Sequence, residues 1–326
     1  MKLLLPDMHL THKQLVVPGE LHGQRIDIVL AELIPEFSRS QLSSWLKQGK
    51  ITIKNRSLKP KDKVSEGEEI DFAIDFSALE NKVENCQPED IPLSVIFEDD
   101  ELLVINKPTG LIVHPGAGNP THTLVNALLY HDPSLNQLPR AGIIHRLDKE
   151  TTGLLVVAKT LTSHTNLTRQ MQERTIDRRY LTLVQGHVIS GGEIDTNYGR
   201  HPRNRLKMAV CENGRQAITR YAVRKQYHYF TLLDVQLLTG RTHQIRVHMA
   251  HINHPVIGDP LYGGRMRYPT EASQELLTVL QQFKRQALHA KTLSLLHPVT
   301  GEPMTFEAPL PADFELLLTS LDNYLV

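Results

Sequence analysis

Two apolar rhythms divide the chain. In GQRIDIVLAELIPEFSRSQLSSWLKQGK, Ile26, Val29, Leu30 and Leu33 recur at helical spacing, and Leu42, Trp45 and Leu46 mark a second helix. Ser38 or Ser40 is placed to cap that second helix, and Gly49 to end it. ITIK and EEIDFAIDF then alternate as strands, joined through a polar segment in which Asn55 suits a turn. The pattern predicts a helix-helix-strand unit of about 60 residues, enough for a small separate domain.

From Leu93 onward the rhythm favours strands. SVIFEDDELLVINKPTG predicts two short strands around an acidic turn, followed by a Lys-Pro loop. GLLVVAK, YLTLVQGHV, AITRYAVRKQY and FTLLDVQLLTG predict further strands, and CENGRQAITR a hairpin. LVNALLYH, SHTNLTRQMQERT and SQELLTVLQQFKRQALHAKTL read as helices. This mixture predicts an α+β fold with a substantial sheet. It disfavours a doubly wound nucleotide fold, because no strand runs into a glycine fingerprint. Residues 77–92 are acidic and polar with little periodicity, which predicts a linker between a domain over 1–76, with an N-terminal extension, and a larger domain over 93–326.

Composition excludes several classes. Apolar residues at 40% and charged residues at 22% fit a globular chain of 326 residues. MKLLLPDMHL, broken by Pro6 and Asp7, is too weak for a signal peptide, and no run approaches a membrane span, so a cytoplasmic protein without membrane association is expected. Cys86 and Cys211 stand too far apart for a compact zinc spacing, and His251 and His254 lack cysteine or carboxylate partners at familiar ligand intervals. Neither a metal nor another cofactor is expected.

The formal net charge of +0 conceals strong segregation. Between Arg39 and Lys63 eight Lys or Arg face one acid, whereas from Val64 to Ile105 thirteen acids face one Lys. From Arg169 to Ala250 the balance returns to fourteen basic against six acidic residues. The basic stretches suit phosphate and the acidic one would repel it.

The most concentrated candidate chemistry is HRLDKETTGLLVVAK. Asp148 precedes a Thr-Thr-Gly turn, and Gly153 allows the chain to bend tightly into a buried strand that would hold the loop rigidly. Taken alone, the pattern fits an Asp that caps a turn or neutralises Arg146 better than it fits a catalytic carboxylate.

The ordered series NKPTGLIVHPG, HRLDKETTGLLVVAK, RRYLTLVQG, LLTGRTHQIRVHMAH and HPVIGDPLYGG resembles the RNA pseudouridine synthases, with its nearest likeness in the large-subunit ribosomal RNA pseudouridine synthase D group. GQRID, SRSQLSSWLKQGKITI and KVSEGEEI resemble the small RNA-binding domain shared by ribosomal proteins, tyrosyl-tRNA synthetases and RNA-modifying enzymes, although Lys54-Asn55 stands where many members carry Asn-Gly. The resemblance implies a mixed, largely antiparallel catalytic domain. It also implies an enzyme that turns uridines in large-subunit ribosomal RNA, or in transfer RNA, into pseudouridine. The rival functions are an RNA-binding ribosome-assembly factor and, more remotely, a hydrolase using Asp148 with a histidine.

In that family Asp148 corresponds to the essential aspartate, which either attacks the sugar carbon C1′ or abstracts a sugar proton. Arg241 corresponds to the arginine that pairs with it, and Tyr180 to the tyrosine that packs on the base. Arg178 stands where relatives often have Lys. Arg146 resembles the arginine that extrudes the uridine and fills its place, and Ile245 the apolar side of the pocket. Arg39, Ser40, Lys47, Lys50 and Lys54 would lie near RNA. Lys107, Pro108 and His114 are expected to shape a loop and not to transfer protons. A monomer is expected.

Overall fold

The computed structural model describes residues 13–34, 39–54, 56–73, 86–116, 118–204, 207–212, 214–269 and 271–324. Two compact units result, Met1–Lys82 and Val83–Val326. No described helix is long and apolar enough to cross a membrane.

In the smaller unit, β1 (Lys13–Val16), β2 (Ile51–Ile53), β3 (Arg56–Ser57) and β4 (Glu69–Phe72) form an antiparallel sheet in the order β1-β4-β2-β3. The predicted helices are α1 (Ile26–Leu33) and α2 (Arg39–Lys47). Their apolar stripes meet the sheet in one core that includes Ile26, Leu30, Leu42, Trp45, Ile51 and Phe72. Ser38 lies outside the described residues, as does Asn55. Lys54 takes the left-handed conformation, φ +48°, which Asn and Gly adopt more readily.

The larger unit is built on a ten-stranded sheet. Its strands are β5 (Val95–Glu98), β6 (Leu102–Lys107), β7 (Thr152–Ala158), β8 (Asp177–Gln185), β9 (Gly192–Arg200), β10 (Met208–Val210), β11 (Arg215–Gln226), β12 (Phe230–Leu237), β13 (Leu288–Leu296) and β14 (Pro303–Glu307). The order is β10-β9-β11-β12-β8-β13-β7-β6-β5, with β14 on β13. Every pairing is antiparallel except β13 with β7. The chain is therefore α+β with a mixed, largely antiparallel sheet.

The helices are α3 (Leu124–His131), α4 (Leu161–Gln172), α5 (Gln244–His251), α6 (Gln274–Gln282) and α7 (Ala312–Tyr324). Helix α3 starts on a capping box made by Thr123 and Asn126. Strand β7 is buried along its whole length because both its faces are covered: Leu155 and Val157 join one core, Leu154 and Val156 another. That explains a continuous apolar run where a half-exposed strand would alternate.

Three expectations need correction. Residues 77–85 of the acidic segment lie outside the described residues, but residues 86–92 are docked on the larger unit and do not form a free linker. Cys86 and Ile91 pack against its core, and Asn126 Nδ2 donates to the Gln87 carbonyl at 2.7 Å. Only Gln274–Gln282 of the long predicted helix is helical; LHAKTLSLL lies in mid-sheet as β13, where pairing on both sides outweighs helix propensity. CENGRQAITR makes no hairpin, since β10 and β11 each pair with β9. QIRVHMAH, for which no element is predicted, forms helix α5.

Candidate active site

Asp148 sits on the loop between Ile143 and β7, and many contacts fix that loop. Leu147 is buried in the core, and the Thr151 amide donates to the Asp148 carbonyl at 3.0 Å. Lys107, fully buried at the end of β6, donates to the carbonyls of Pro108, Leu111 and Lys149 at 2.7, 2.9 and 3.0 Å. Burial pulls its ammonium down to about 7, against the charges of Glu150 and Asp148. Gln286 donates to Thr151 Oγ1 at 3.0 Å, and Arg285 to the Glu150 carbonyl at 3.3 Å. A Cβ on Gly153, φ +111°, would stand 2.2 Å from the Ala290 carbonyl, so only glycine lets β7 approach β13 there.

The Asp148 carboxylate is 16% exposed, and its Oδ2 accepts Arg246 Nη1 at 2.9 Å. Arg246 is in turn clamped from behind: its Nε and Nη2 donate to the fully buried Asp259 at 2.7 and 2.8 Å. Asp259 also accepts the amides of Leu261 and Tyr262 at 2.8 and 3.0 Å. Burial alone would raise the Asp259 pKa, but the Arg246 hydrogen bonds and charge, with the two amides, hold it below its ordinary value. Burial likewise opposes the Arg246 charge, and its two carboxylates more than reverse that, raising its pKa. Tyr262 lies against the guanidinium, 5.1 Å from ring centre to Cζ. The result is a carboxylate with one oxygen tethered to a rigid cation and the other left available.

Of the remaining expected residues, Tyr180 is close enough to feel the Asp148 charge. Tyr180 on β8 is buried, and burial raises its phenol pKa; nearby Arg178 opposes this and Asp148 adds to it. Arg146 is exposed two residues before Asp148. His114 is held near it and stays uncharged, because burial and the charges of Arg140 and Arg146 push its pKa down to about 4. Ile245 is buried beside Arg246 at the start of α5.

A family model for RNA pseudouridylate synthase matches residues 101–251, and one for the S4 domain matches residues 24–70. The ribosomal large subunit pseudouridine synthase D of Xanthomonas campestris pv. campestris is 52% identical over 309 residues, covering 95% of this chain and 92% of the relative. The chain belongs to this family of RNA pseudouridine synthases. The protein of the same name from Pseudomonas aeruginosa is 50% identical over 305 residues, 94% of each chain. Among solved structures, the human RNA pseudouridylate synthase domain containing 4 is similar over 70% of this chain and 93% of its own, with 26% identity and a TM-score of 0.55.

Within this synthase the expected partner of Asp148 is corrected. Arg241 is exposed, and its Nε reaches the Gln216 carbonyl at 3.4 Å; the arginine on Asp148 is Arg246. The physical reason is the helix. A helix starting at Gln244 turns Arg246 inward between two carboxylates, while Arg241 stays on the segment before it. Asp259 was visible in HPVIGDP, and Tyr262 in LYGG, but nothing local in those strings marks their contact with Arg246.

In the smaller unit Lys47, Lys50 and Lys54 are exposed. Arg39 and Ser40 stand at the start of α2, with their side chains outside the described residues.

Proposed function

We propose that this synthase isomerises uridines in large-subunit ribosomal RNA, with Asp148 as the reacting carboxylate. The observation that carries the reading is the Oδ1 of Asp148, which accepts no hydrogen bond among the described residues, on a carboxylate whose other oxygen is held by a clamped arginine. The choice of large-subunit RNA is supported by the names of the relatives that match 92% or more of their own length.

Pseudouridine formation breaks the bond from C1′ to a uracil nitrogen, turns the retained base, and joins C1′ to a ring carbon. That carbon loses a proton and the freed nitrogen gains one, so the sum is an isomerisation that needs no redox partner or nucleotide. Asp148 serves it either by attacking C1′ or by taking a sugar proton. The Arg246 guanidinium orients the carboxylate without occupying both oxygens.

A uridine in folded RNA must first leave its stack, at a cost of a few kcal/mol. Exposed Arg146 is suited to fill the vacated space, its planar guanidinium stacking on neighbouring bases. Tyr180 and Ile245 supply an aromatic and an aliphatic wall for the uracil. Lys47, Lys50 and Lys54, with Arg39 and Ser40, meet the RNA backbone from the smaller unit. In this reading the enzyme is a cytoplasmic monomer and uses no cofactor.

The test is incubation of the purified chain with uridine-labelled large-subunit transcripts and transfer RNA, with and without chelator, followed by digestion and chromatography. Chelator-insensitive pseudouridine in large-subunit RNA, lost in Asp148→Ala with RNA affinity retained, is the expected result. Product in transfer RNA alone would replace the substrate. Binding without product, in folded RNA and in ribosomal precursors, would favour an assembly role, and release of free uracil would favour hydrolysis.

A further inference from the structure

His243 precedes α5 in the left-handed conformation, φ +58°, unusual for a residue with a side chain. Its Nδ1 lies 2.8 Å from the Tyr262 hydroxyl, and its Nε2 lies 3.9 Å from Asp148 Oδ1. Arg246 holds Oδ2, so His243 faces the oxygen that Arg246 leaves free.

The hydroxyl of Tyr262 decides which ring nitrogen carries the proton. It already accepts the Met208 amide at 2.8 Å. If Nδ1 accepts, the tyrosine's own proton is satisfied; if Nδ1 donates, the hydroxyl accepts twice and that proton has no partner among the described residues. The first arrangement places the imidazole proton on Nε2, pointing toward Asp148.

We propose that His243, fixed by Tyr262 as the Nε2–H tautomer, is a positioning residue that donates to Asp148 Oδ1 once RNA closes the site, so that Arg246 and His243 together prevent the carboxylate from rotating. The inference rests on Asp148 as the reacting group. A separation of 3.9 Å is longer than a hydrogen bond, and contacts of this kind tighten when substrate binds.

An uncharged donor suits the task. It aims the carboxylate without cancelling the negative charge that must face C1′ as the glycosidic bond weakens. The groups facing the imidazole are Asp148 and Arg146 from the loop, Arg246 from α5, and Asp259 and Tyr262 from the segment after it, with Lys207 over the Tyr262 ring. Burial lowers the imidazole pKa first; Asp148 and Asp259 oppose it, while Arg246 and Arg146 add to it, and the net direction is down.

Two substitutions separate positioning from folding. In His243→Asn the amide reaches only the Nδ1 place and keeps the Tyr262 contact, and Asn tolerates the left-handed backbone well. In His243→Gln the amide reaches the Nε2 place, on a less tolerant residue. Rates on a large-subunit transcript and thermal melting would be measured for both, beside wild type and Asp148→Ala. The expectation is that His243→Asn melts like wild type yet loses about 10- to 100-fold in kcat, as for one hydrogen bond to a charged group. KM should stay within about threefold, and His243→Gln should recover most of the rate. Equal rates for the two variants, or a loss confined to KM, would overturn the inference while leaving Asp148 in place. An active Asp148→Ala would overturn the reading of the site itself and this inference with it.

Discussion

Replacing Asp259 by Ala removes the rear clamp on Arg246 and leaves a buried guanidinium with Asp148 as its remaining carboxylate. Taking one partner from a buried ion pair costs about 3–5 kcal/mol. Arg246 keeps its 2.9 Å bond to Asp148, so the loss should sit near the lower end, about 3 kcal/mol, with the amides of Leu261 and Tyr262 also losing their acceptor. Against a typical domain stability of about 5–15 kcal/mol the variant should still fold. Urea unfolding followed by far-ultraviolet circular dichroism would measure the cost. Trp45, the single tryptophan, is buried in the smaller unit, so its fluorescence reports that unit and provides an internal reference.

The dependence on pH has a definite sign. The folded Asp259 pKa is depressed, so its contribution is fully present above the unfolded value of about 4 and is lost as pH falls through the folded value. Wild type and variant should therefore differ by the full amount at pH 7 and converge below about pH 4. A gap under about 1 kcal/mol at pH 7, or one that stays constant on acidification, would refute the argument.

Three further substitutions probe other parts of the structure. Gly153→Ala should destabilise the larger unit by about 3 kcal/mol or more, since its Cβ would meet the Ala290 backbone at 2.2 Å; an unchanged unfolding midpoint would show that β7 and β13 can separate freely. Lys107→Met strands three carbonyls and should cost roughly 2–4 kcal/mol together with catalytic rate, measured by unfolding and by product formation; full activity would show that the tether to Lys149 is dispensable. Lys54→Gly relieves a left-handed side-chain residue, so Trp45 fluorescence should show equal or greater stability of the smaller unit while affinity for RNA falls in low salt; a drop in stability would contradict the backbone argument.

Local periodicity made much of this fold legible. LVNALLYH is α3 to the residue, and the run around GLLVVA is a doubly covered strand, because each carries its whole signal within one element. QIRVHMAH carries no such signal. Its first residues alternate polar and β-branched, yet it forms a helix packed against β10 and β11. Asp148 was legible because its loop and strand are contiguous in sequence. Its partners were not: Arg246, Asp259 and His243 come together through a helix start and a later turn, and which arginine faces the carboxylate depends on a helical phase that the bare string does not display.

The pairing of β13 with β7 bears on when the site can exist at all. Thr152 and His289 touch across 137 residues of sequence, and Gly153 lies against Ala290 where β13 and β7 pair in parallel. The loop bearing Asp148 is thus completed by a strand synthesised far later. A chain emerging from its own translation would carry every residue of the Asp148–Arg246–Asp259 constellation well before it held β13, and would lack the support that fixes the loop. Assembly of the site is tied to synthesis of β13, so abortive fragments ending before Leu288 should be unable to act on RNA.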